Sequence, residues 1–237
     1  LSRVLMTPGR RLQSLSDSAQ EAWIKLYKSS VVSPDSQVSY YRLGAATAFC
    51  LDVRLRAVGS SLADLLRSLW QTHGKNHRGF HRRDLAAWLN PLEPQLAIDL
   101  DLWLDQTDSL PLHNCLAMIG ARLDPVPLRH PLHGLTLADS NGRVVVRRAA
   151  ADSPARASGL VPGDELIAVD SRRLHSSEDL SLLLSVDCPA TITYARRRCL
   201  AETQLTATQG VDRWTLGLES GASPEQQDLR ERWFRFL

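Results

Sequence analysis

The run Ser153-Pro154-Ala155-Arg156-Ala157-Ser158-Gly159-Leu160-Val161-Pro162-Gly163-Asp164-Glu165-Leu166-Ile167-Ala168-Val169 decides how this chain is read. A serine followed by proline starts a short helix, because proline suits the first helical turn. Gly159 stops that helix. Pro162-Gly163-Asp164 then turns the chain into an apolar, partly β-branched strand. On the upstream side, Leu135-Thr136-Leu137 and Arg143-Val144-Val145-Val146 flank Asn141-Gly142, a hairpin signal. Downstream, Ser176 and Asp179 cap a helix carrying Leu180, Leu182, Leu183 and Leu184, and strands are predicted over 190–194 and 200–208. The order β-β-α-β-α-β-β makes a small, partly open sandwich.

Residues 1–122 follow a different period. Ser18 with Glu21 reads as a capping box opening one amphipathic helix through Trp23, Ile24, Leu26 and Tyr27 to about Lys28. Residues 31–36, with Pro34 and two serines, read as a loop. The pattern over 37–58 is apolar on most sides, as in a helix inside a domain, and Gly59 ends it. Further helices are predicted from Ser61 to Gly74, over 84–89, 96–104 and 111–119. Three prolines make 122–131 a linker. The apolar end (Trp214, then Trp233, Phe234, Phe236, Leu237) is expected to dock as a C-terminal helix. The resulting division is an all-helical lobe at 1–122, the sandwich at 130–210 and the docking helix at 211–237, an α+β multidomain fold.

Composition narrows the function. In 237 residues, 28 Lys+Arg against 26 Asp+Glu leave a formal charge of +2, which argues against a nucleic-acid surface. The basic run Arg196-Arg197-Arg198 follows a strand pattern and reads as a solvated turn. No run is apolar enough to span a membrane. Cys50, Cys115, Cys188 and Cys199 form no C-x-x-C pair, and unpaired thiols lean toward a reducing, cytoplasmic setting. His73, His77 and His81 share a four-residue spacing, but Gly74 and Gly79 interrupt it and no glutamate intervenes, so they read as loop and cap residues. His130 and His133 flank a proline in the linker and are not read as ligands.

With Gly134-Leu135-Thr136-Leu137 ahead of the 153–170 run, the second domain resembles a PDZ domain of the bacterial type. Such domains bind an extended chain end as an added strand. In that reading the amides of Leu135, Thr136 and Leu137 form a carboxylate nest beyond Gly134. Leu135 and Leu137, with Leu180, Leu183 or Leu184, line a pocket for an apolar side chain, although the same leucines could simply fill the core.

The helical half carries Pro8-Gly9-Arg10-Arg11-Leu12-Gln13-Ser14-Leu15, Ala22-Trp23-Ile24-Lys25-Leu26-Tyr27, Val38-Ser39-Tyr40-Tyr41-Arg42-Leu43-Gly44-Ala45, Leu51-Asp52-Val53-Arg54-Leu55-Arg56 and Arg78-Gly79-Phe80. With a PDZ domain following, and with Trp214-Thr215-Leu216 and Ala222-Ser223-Pro224-Glu225-Gln226 in the tail, this series resembles the C-terminal half of the glycyl aminopeptidase family. That family comprises gluzincin zinc metallopeptidases with a thermolysin-like catalytic domain, whose C-terminal lobe the helical half would be. The resemblance implies zinc bound through H-E-x-x-H, a motif this sequence lacks. The expectation is therefore a chain without metal ligands, whose N-terminal catalytic segment lies upstream and which is inactive alone.

The resemblance also implies a phenol that stabilises the tetrahedral oxyanion. Tyr41, with Gly44 three places on, matches the Y-x-x-G pattern, although Leu43 stands where the family has lysine. Tyr40 points about 100° away on a helix and reads as packing. The function implied is zinc-dependent aminopeptidase action, with peptides or protein C-termini held at the PDZ groove. The alternatives are a non-enzymatic PDZ adaptor and a family member that kept the scaffold without the chemistry.

Overall fold

The computed structural model describes residues 1–234. Helices α1 (Ser2–Leu5), α2 (Leu15–Gln20), α3 (Ser33–Ser36), α4 (Tyr40–Ala57), α5 (Leu62–Thr72), α6 (Arg82–Leu89), α7 (Pro94–Asp105) and α8 (Leu112–Met118) come first. Strands β1 (Ala121–Pro127), β2 (Leu135–Ser140) and β3 (Arg143–Ala149) follow. Then come α9 (Pro154–Ala157), β4 (Glu165–Val169), β5 (Arg172–Arg173), α10 (Asp179–Leu183), β6 (Pro189–Arg196), β7 (Cys199–Thr206), β8 (Val211–Leu218) and α11 (Pro224–Phe234). The chain divides into two compact units, one of Leu1–Lys28, Ser36–Asp124 and the chain from Trp214 on, the other of Ser29–Asp35 and Pro125–Arg213. No helix among the described residues is long and apolar enough to cross a membrane.

The helical unit is organised around α4. Leu43, Ala46, Cys50 and Val53 recur at helical spacing and are buried, with Leu51 and Leu55 beside them. Cys50, Leu51, Val53 and Leu55 share a core with Leu65 of α5, Leu89 of α6, Leu96, Leu100 and Trp103 of α7, and Leu116 of α8, whereas Leu43 and Ala46 cluster with Val4, Leu15 and Val38. Each fully buried leucine contributes about 1.5–3 kcal/mol. The helix is not apolar all round, since Tyr41 is 61 % exposed on its outer side. Gly59 ends it at φ +80°, a conformation that favours glycine. The C-terminal α11 docks within this unit. Leu229 joins the core, Trp233 meets Phe49 edge to face, and Gln226 Nε2 donates to the Ala117 carbonyl at 2.7 Å. Phe236 and Leu237 lie outside the described residues.

Several sequence expectations need correction here. No single helix opens at Ser18. The cap is Ser14, whose Oγ accepts from the Asp17 amide at 3.1 Å, so α2 starts earlier and ends at Gln20. Ser18 instead donates its hydroxyl to the Val38 carbonyl at 2.5 Å, and Glu21 accepts from Gln13 and Lys25. Residues beyond Gln20 pass through turns, which leaves Trp23 and Ile24 exposed. The loop expected over 31–36 contains the one-turn α3. The expected linker contains strand β1, which pairs with β8 in a two-stranded ribbon. Its Pro125 and Pro127 are tolerated because such a ribbon has free edges.

The second unit is an antiparallel sheet of order β2-β3-β4-β6-β7, with β5 paired to β4. Asn141 (φ +51°) and Gly142 (φ +72°) form the tight turn between β2 and β3. The two-residue β5 escapes sequence reading, because the Asp170-Ser171 turn before it has positive φ at both residues without a glycine to signal it. Val144, Val146, Leu160, Leu166, Leu180, Ile192 and Leu205 make the core. Asp164, 1 % exposed, accepts from the Val161 amide (2.8 Å) and from Arg196 Nε (2.7 Å). Residues 29–35 belong to this unit through Asp35, which accepts from Arg148 Nε of β3 at 3.0 Å.

Candidate functional site

The sheet leaves β2 at its edge, with β3 on one side and no strand on the other among the described residues. An edge strand presents unpaired amides and carbonyls, a template for an added chain. The segment leading into β2 is held at each residue. Leu132 exchanges backbone bonds with Thr208 (2.8 and 3.1 Å), the His133 carbonyl accepts from the Ala155 amide (3.0 Å), and the Gly134 carbonyl accepts from the Ala150 amide (2.9 Å). Gly134 has φ +79°, and a Cβ there would lie 2.1 Å from the Ser153 Cβ, so a side chain is excluded on two grounds. Ser153 is in turn fixed as the cap of α9, its Oγ accepting from the Arg156 amide. A bulge between Thr136 and Leu137 shifts the register of β2 against β3 just past the loop.

Of the residues expected to line a pocket, Leu135, Leu137 and Leu183 are half-buried side chains packed on the core of the second unit. Leu180 and Leu184 are buried within that core and can form only its floor. Thr136 is exposed on β2. At the other end of the strand, Asp139 accepts from the Ser177 amide (2.8 Å) and hydroxyl (2.9 Å), which ties β2 to the segment before α10.

Sequence reasoning passed over His133. Its Nδ1 accepts from the Leu135 amide at 3.0 Å, and its Nε2 lies 3.2 Å from Ser181 Oγ of α10. Burial holds its pKa below the usual histidine value. The available signal was positional: His133 stands directly before the glycine of the expected carboxylate loop.

In the helical unit Tyr41 opens α4 with its ring outward. Its hydroxyl lies 3.0 Å from that of Tyr27, and the Tyr40 hydroxyl lies 3.4 Å from the same oxygen. The Tyr40 and Tyr41 rings are 4.1 Å apart, so Tyr40 does not point away as the helical angle implied. Trp23 packs on Tyr27 with centroids 5.0 Å apart. Hydrogen bonds from Tyr27 and then Tyr40 hold the Tyr41 phenol below its ordinary pKa, while hydrogen bonds with Tyr27 and then Tyr41 push the Tyr40 phenol up. Tyr27 is therefore part of the cluster, and the sequence reading missed it.

The histidine series ends helices rather than forming a stripe. His73 is the C-cap of α5, His77 sits at φ +51°, and His81 caps α6 in a capping box with Asp84. Among the described residues no three His, Cys, Asp or Glu side chains converge on a point that could hold a metal ion. All four cysteines are free thiols, Cys50 and Cys115 buried and Cys188 and Cys199 exposed.

Comparisons with known proteins agree with this organisation. The M61 glycyl aminopeptidase family matches residues 1–47, and the PDZ domain family matches residues 131–198. Among solved structures, an aminopeptidase N family protein from Idiomarina loihiensis is similar at 26% identity and TM-score 0.76, covering 98% of this chain and 42% of that one. The chain thus spans less than half the length of that relative. A serine endoprotease from Yersinia pestis aligns at 20% identity and TM-score 0.30, over 34% of this chain and 29% of its own. An HtrA3 PDZ domain bound to a phage-derived ligand aligns at 18% identity and TM-score 0.28, over 39% of this chain and 92% of its own. No curated protein sequence matches. By these matches residues 1–47 are similar to the M61 glycyl aminopeptidase family and residues 131–198 to the PDZ domain family.

Proposed function

We propose that the PDZ unit captures the carboxyl ends of peptides, and that the helical unit contributes the Tyr41 phenol to a peptide-hydrolysing centre of the aminopeptidase type. The observation that carries the first part is the uncovered edge of β2, entered through a loop whose Gly134 cannot carry a side chain. An incoming chain end adds a strand along β2. Its carboxylate takes the amides of Leu135, Thr136 and Leu137, and its last side chain rests on Leu135, Leu137 and Leu183 over the floor of Leu180 and Leu184. An apolar last residue suits that surface.

The second part rests on an exposed phenol whose hydroxyl is aimed by a neighbouring phenol. A positioned O–H donor stabilises charge that develops on a carbonyl oxygen, by a few kcal/mol in a dry site. The family implies zinc, but the described residues do not fit a zinc site. The metal would belong to residues other than these, and Tyr41 acts here only as a hydrogen-bond donor to the oxyanion.

The test is fluorescence anisotropy of the full chain with paired peptides that end in an apolar residue as free acid or as amide. Amidation should weaken binding by about tenfold or more, the worth of a charge-assisted hydrogen bond. Equal affinity would overturn the carboxylate reading. In any active form of the protein, Tyr41→Phe should cut turnover by roughly a hundredfold. Peptide capture without any dependence on Tyr41 would leave the PDZ adaptor as the function.

A further inference from the structure

The amide that opens the carboxylate nest is already in use. Leu135 N–H donates to His133 Nδ1 at 3.0 Å. A ring nitrogen that accepts carries no proton, so the proton of the neutral imidazole is on Nε2. That N–H donates to Ser181 Oγ at 3.2 Å. His133 therefore spans the groove entrance, from the loop before β2 to the helix α10 on the facing side. The site is built rather than incidental, since the His133 carbonyl is itself fixed by the Ala155 amide and the Gly134 carbonyl by the Ala150 amide.

We propose that His133 is a proton-coupled latch on the PDZ groove: its neutral ring occupies the Leu135 amide in the free protein, and an arriving peptide carboxylate displaces it and receives a proton-bearing Nδ1 as a new donor. The inference rests on the peptide-binding reading above. The exchange balances. The Leu135 N–H passes from Nδ1 to a carboxylate oxygen, and one proton from solvent goes to Nδ1. Nε2–H keeps Ser181 as its acceptor in both states. The bound state then pairs an imidazolium with a carboxylate.

The sign of the pH dependence follows. Burial favours the neutral ring in the free protein, whereas a bound carboxylate favours the charged ring. Binding therefore takes up a proton and tightens as pH falls through the interval between the two pKa values, at most about tenfold per pH unit. Other ionisable groups on the surrounding elements are Asp139 of β2, Glu178 and Asp179 at the start of α10, and Asp152 and Arg156 around α9. Asp139 is bonded to Ser177, and Asp179 to the amides of His175 and Ser176. His130 and His175 are further histidines of this unit, so the readout must identify the residue.

The experiment is calorimetry of the full chain with an apolar-ended free-acid peptide, from about pH 7.5 to about pH 5.5, in buffers of different ionisation enthalpy. It is paired with ¹⁵N NMR of the histidine rings. Binding should take up as much as one proton, affinity should rise about tenfold or more, and the His133 pKa should rise on peptide addition. His133→Gln keeps an acceptor for the Leu135 amide but cannot titrate, so its affinity should be flat with pH. Free-acid peptide binding without proton uptake, or with uptake unchanged in His133→Gln, would overturn the latch and leave the peptide reading intact. Failure of both free-acid and amidated peptides to bind would overturn both. Should His133→Gln not fold, the His133 ring titration in the unmodified chain decides alone: an unmoved pKa on binding rejects the latch.

Discussion

A tyrosine cluster of the helical unit and a carboxylate of the other unit are held under opposite conditions. In the helical unit Tyr27 and Tyr41 meet through hydroxyls that face water, with Tyr41 61 % exposed. In the other unit Asp164 is 1 % exposed and His133 is half-buried. Water can replace a bond between exposed hydroxyls, so such a contact orients a group without greatly stabilising the fold. A buried carboxylate has no such substitute, and each bond it makes decides whether the local structure holds. Loss of the exposed Tyr27–Tyr41 contact should therefore cost little stability, and loss of the buried Asp164 contacts should cost more.

The largest effect that bears on this contrast is expected at Trp103, buried in α7 within the helical core. Trp103→Ala should cost about 3–5 kcal/mol. Residue-resolved hydrogen exchange should show the loss in the helical unit, while PDZ amides keep their protection. Equal loss in both units would mean that they unfold together.

Arg196→Ala comes next. Removing the partner of a buried carboxylate is destabilising, and the 40% exposure of the Arg196 side chain makes the loss smaller than that at Trp103. Burial alone pushes the Asp164 pKa up, but the bonds from Arg196 and the Val161 amide outweigh it and hold the carboxyl below its ordinary value. The pair's contribution is thus present above about pH 3.9 and is lost as pH falls toward the folded pKa. Denaturant midpoints measured at neutral and acid pH should show that Arg196→Ala loses less on acidification than the parent. A steeper acid loss in the variant would contradict this assignment.

Gly134→Ala should be smaller in stability and complete in function. The left-handed backbone costs about 1–2 kcal/mol with a side chain, and the contact with Ser153 adds to it. Peptide binding should vanish, because the loop must shift. Ser153→Gly in the same chain should recover part of the loss, a coupling that a double-mutant cycle would read. Wild-type binding in Gly134→Ala would remove the loop from the site.

How much of this the sequence discloses depends on the distance over which each feature is built. The PDZ helix, turn and strand over 153–169 are set by neighbours along the chain, and the carboxylate loop is announced by Gly134 beside Leu135 and Leu137. The long helix α4 declares itself through periodicity, and Gly59 through its place after it. The bond between Asp35 and Arg148 joins residues 113 apart and leaves no local trace. Strands β1 and β8 are also distant in sequence, and two prolines disguise the first. Ser14 and Ser18 are both plausible caps by local rules, and the tertiary bond from Ser18 to Val38 decides between them. His133 was hidden by the proline before it, which suggested a linker. Tyr27 was hidden because the segment expected to be a helix is mostly turns, so its direction could not be inferred from a helical angle.

The smallest effect is also the sharpest test of the exposed cluster. Tyr27→Phe removes one hydroxyl at a solvated position and should leave the thermal midpoint nearly unchanged. It also removes the first of the two hydrogen bonds that hold the Tyr41 phenol below its ordinary pKa. A phenolate is stabilised by each O–H that donates to it, so losing the bond at 3.0 Å must move the Tyr41 titration upward, toward about 10. Phenolate absorbance, compared between Tyr27→Phe and a Tyr27→Phe/Tyr41→Phe pair, isolates the Tyr41 transition. An upward shift with unchanged stability would establish that Tyr27 tunes the phenol without supporting the fold. A large loss of stability would place the tyrosines with Asp164 and His133, as groups the fold cannot spare, and the contrast between the units would fail at that point.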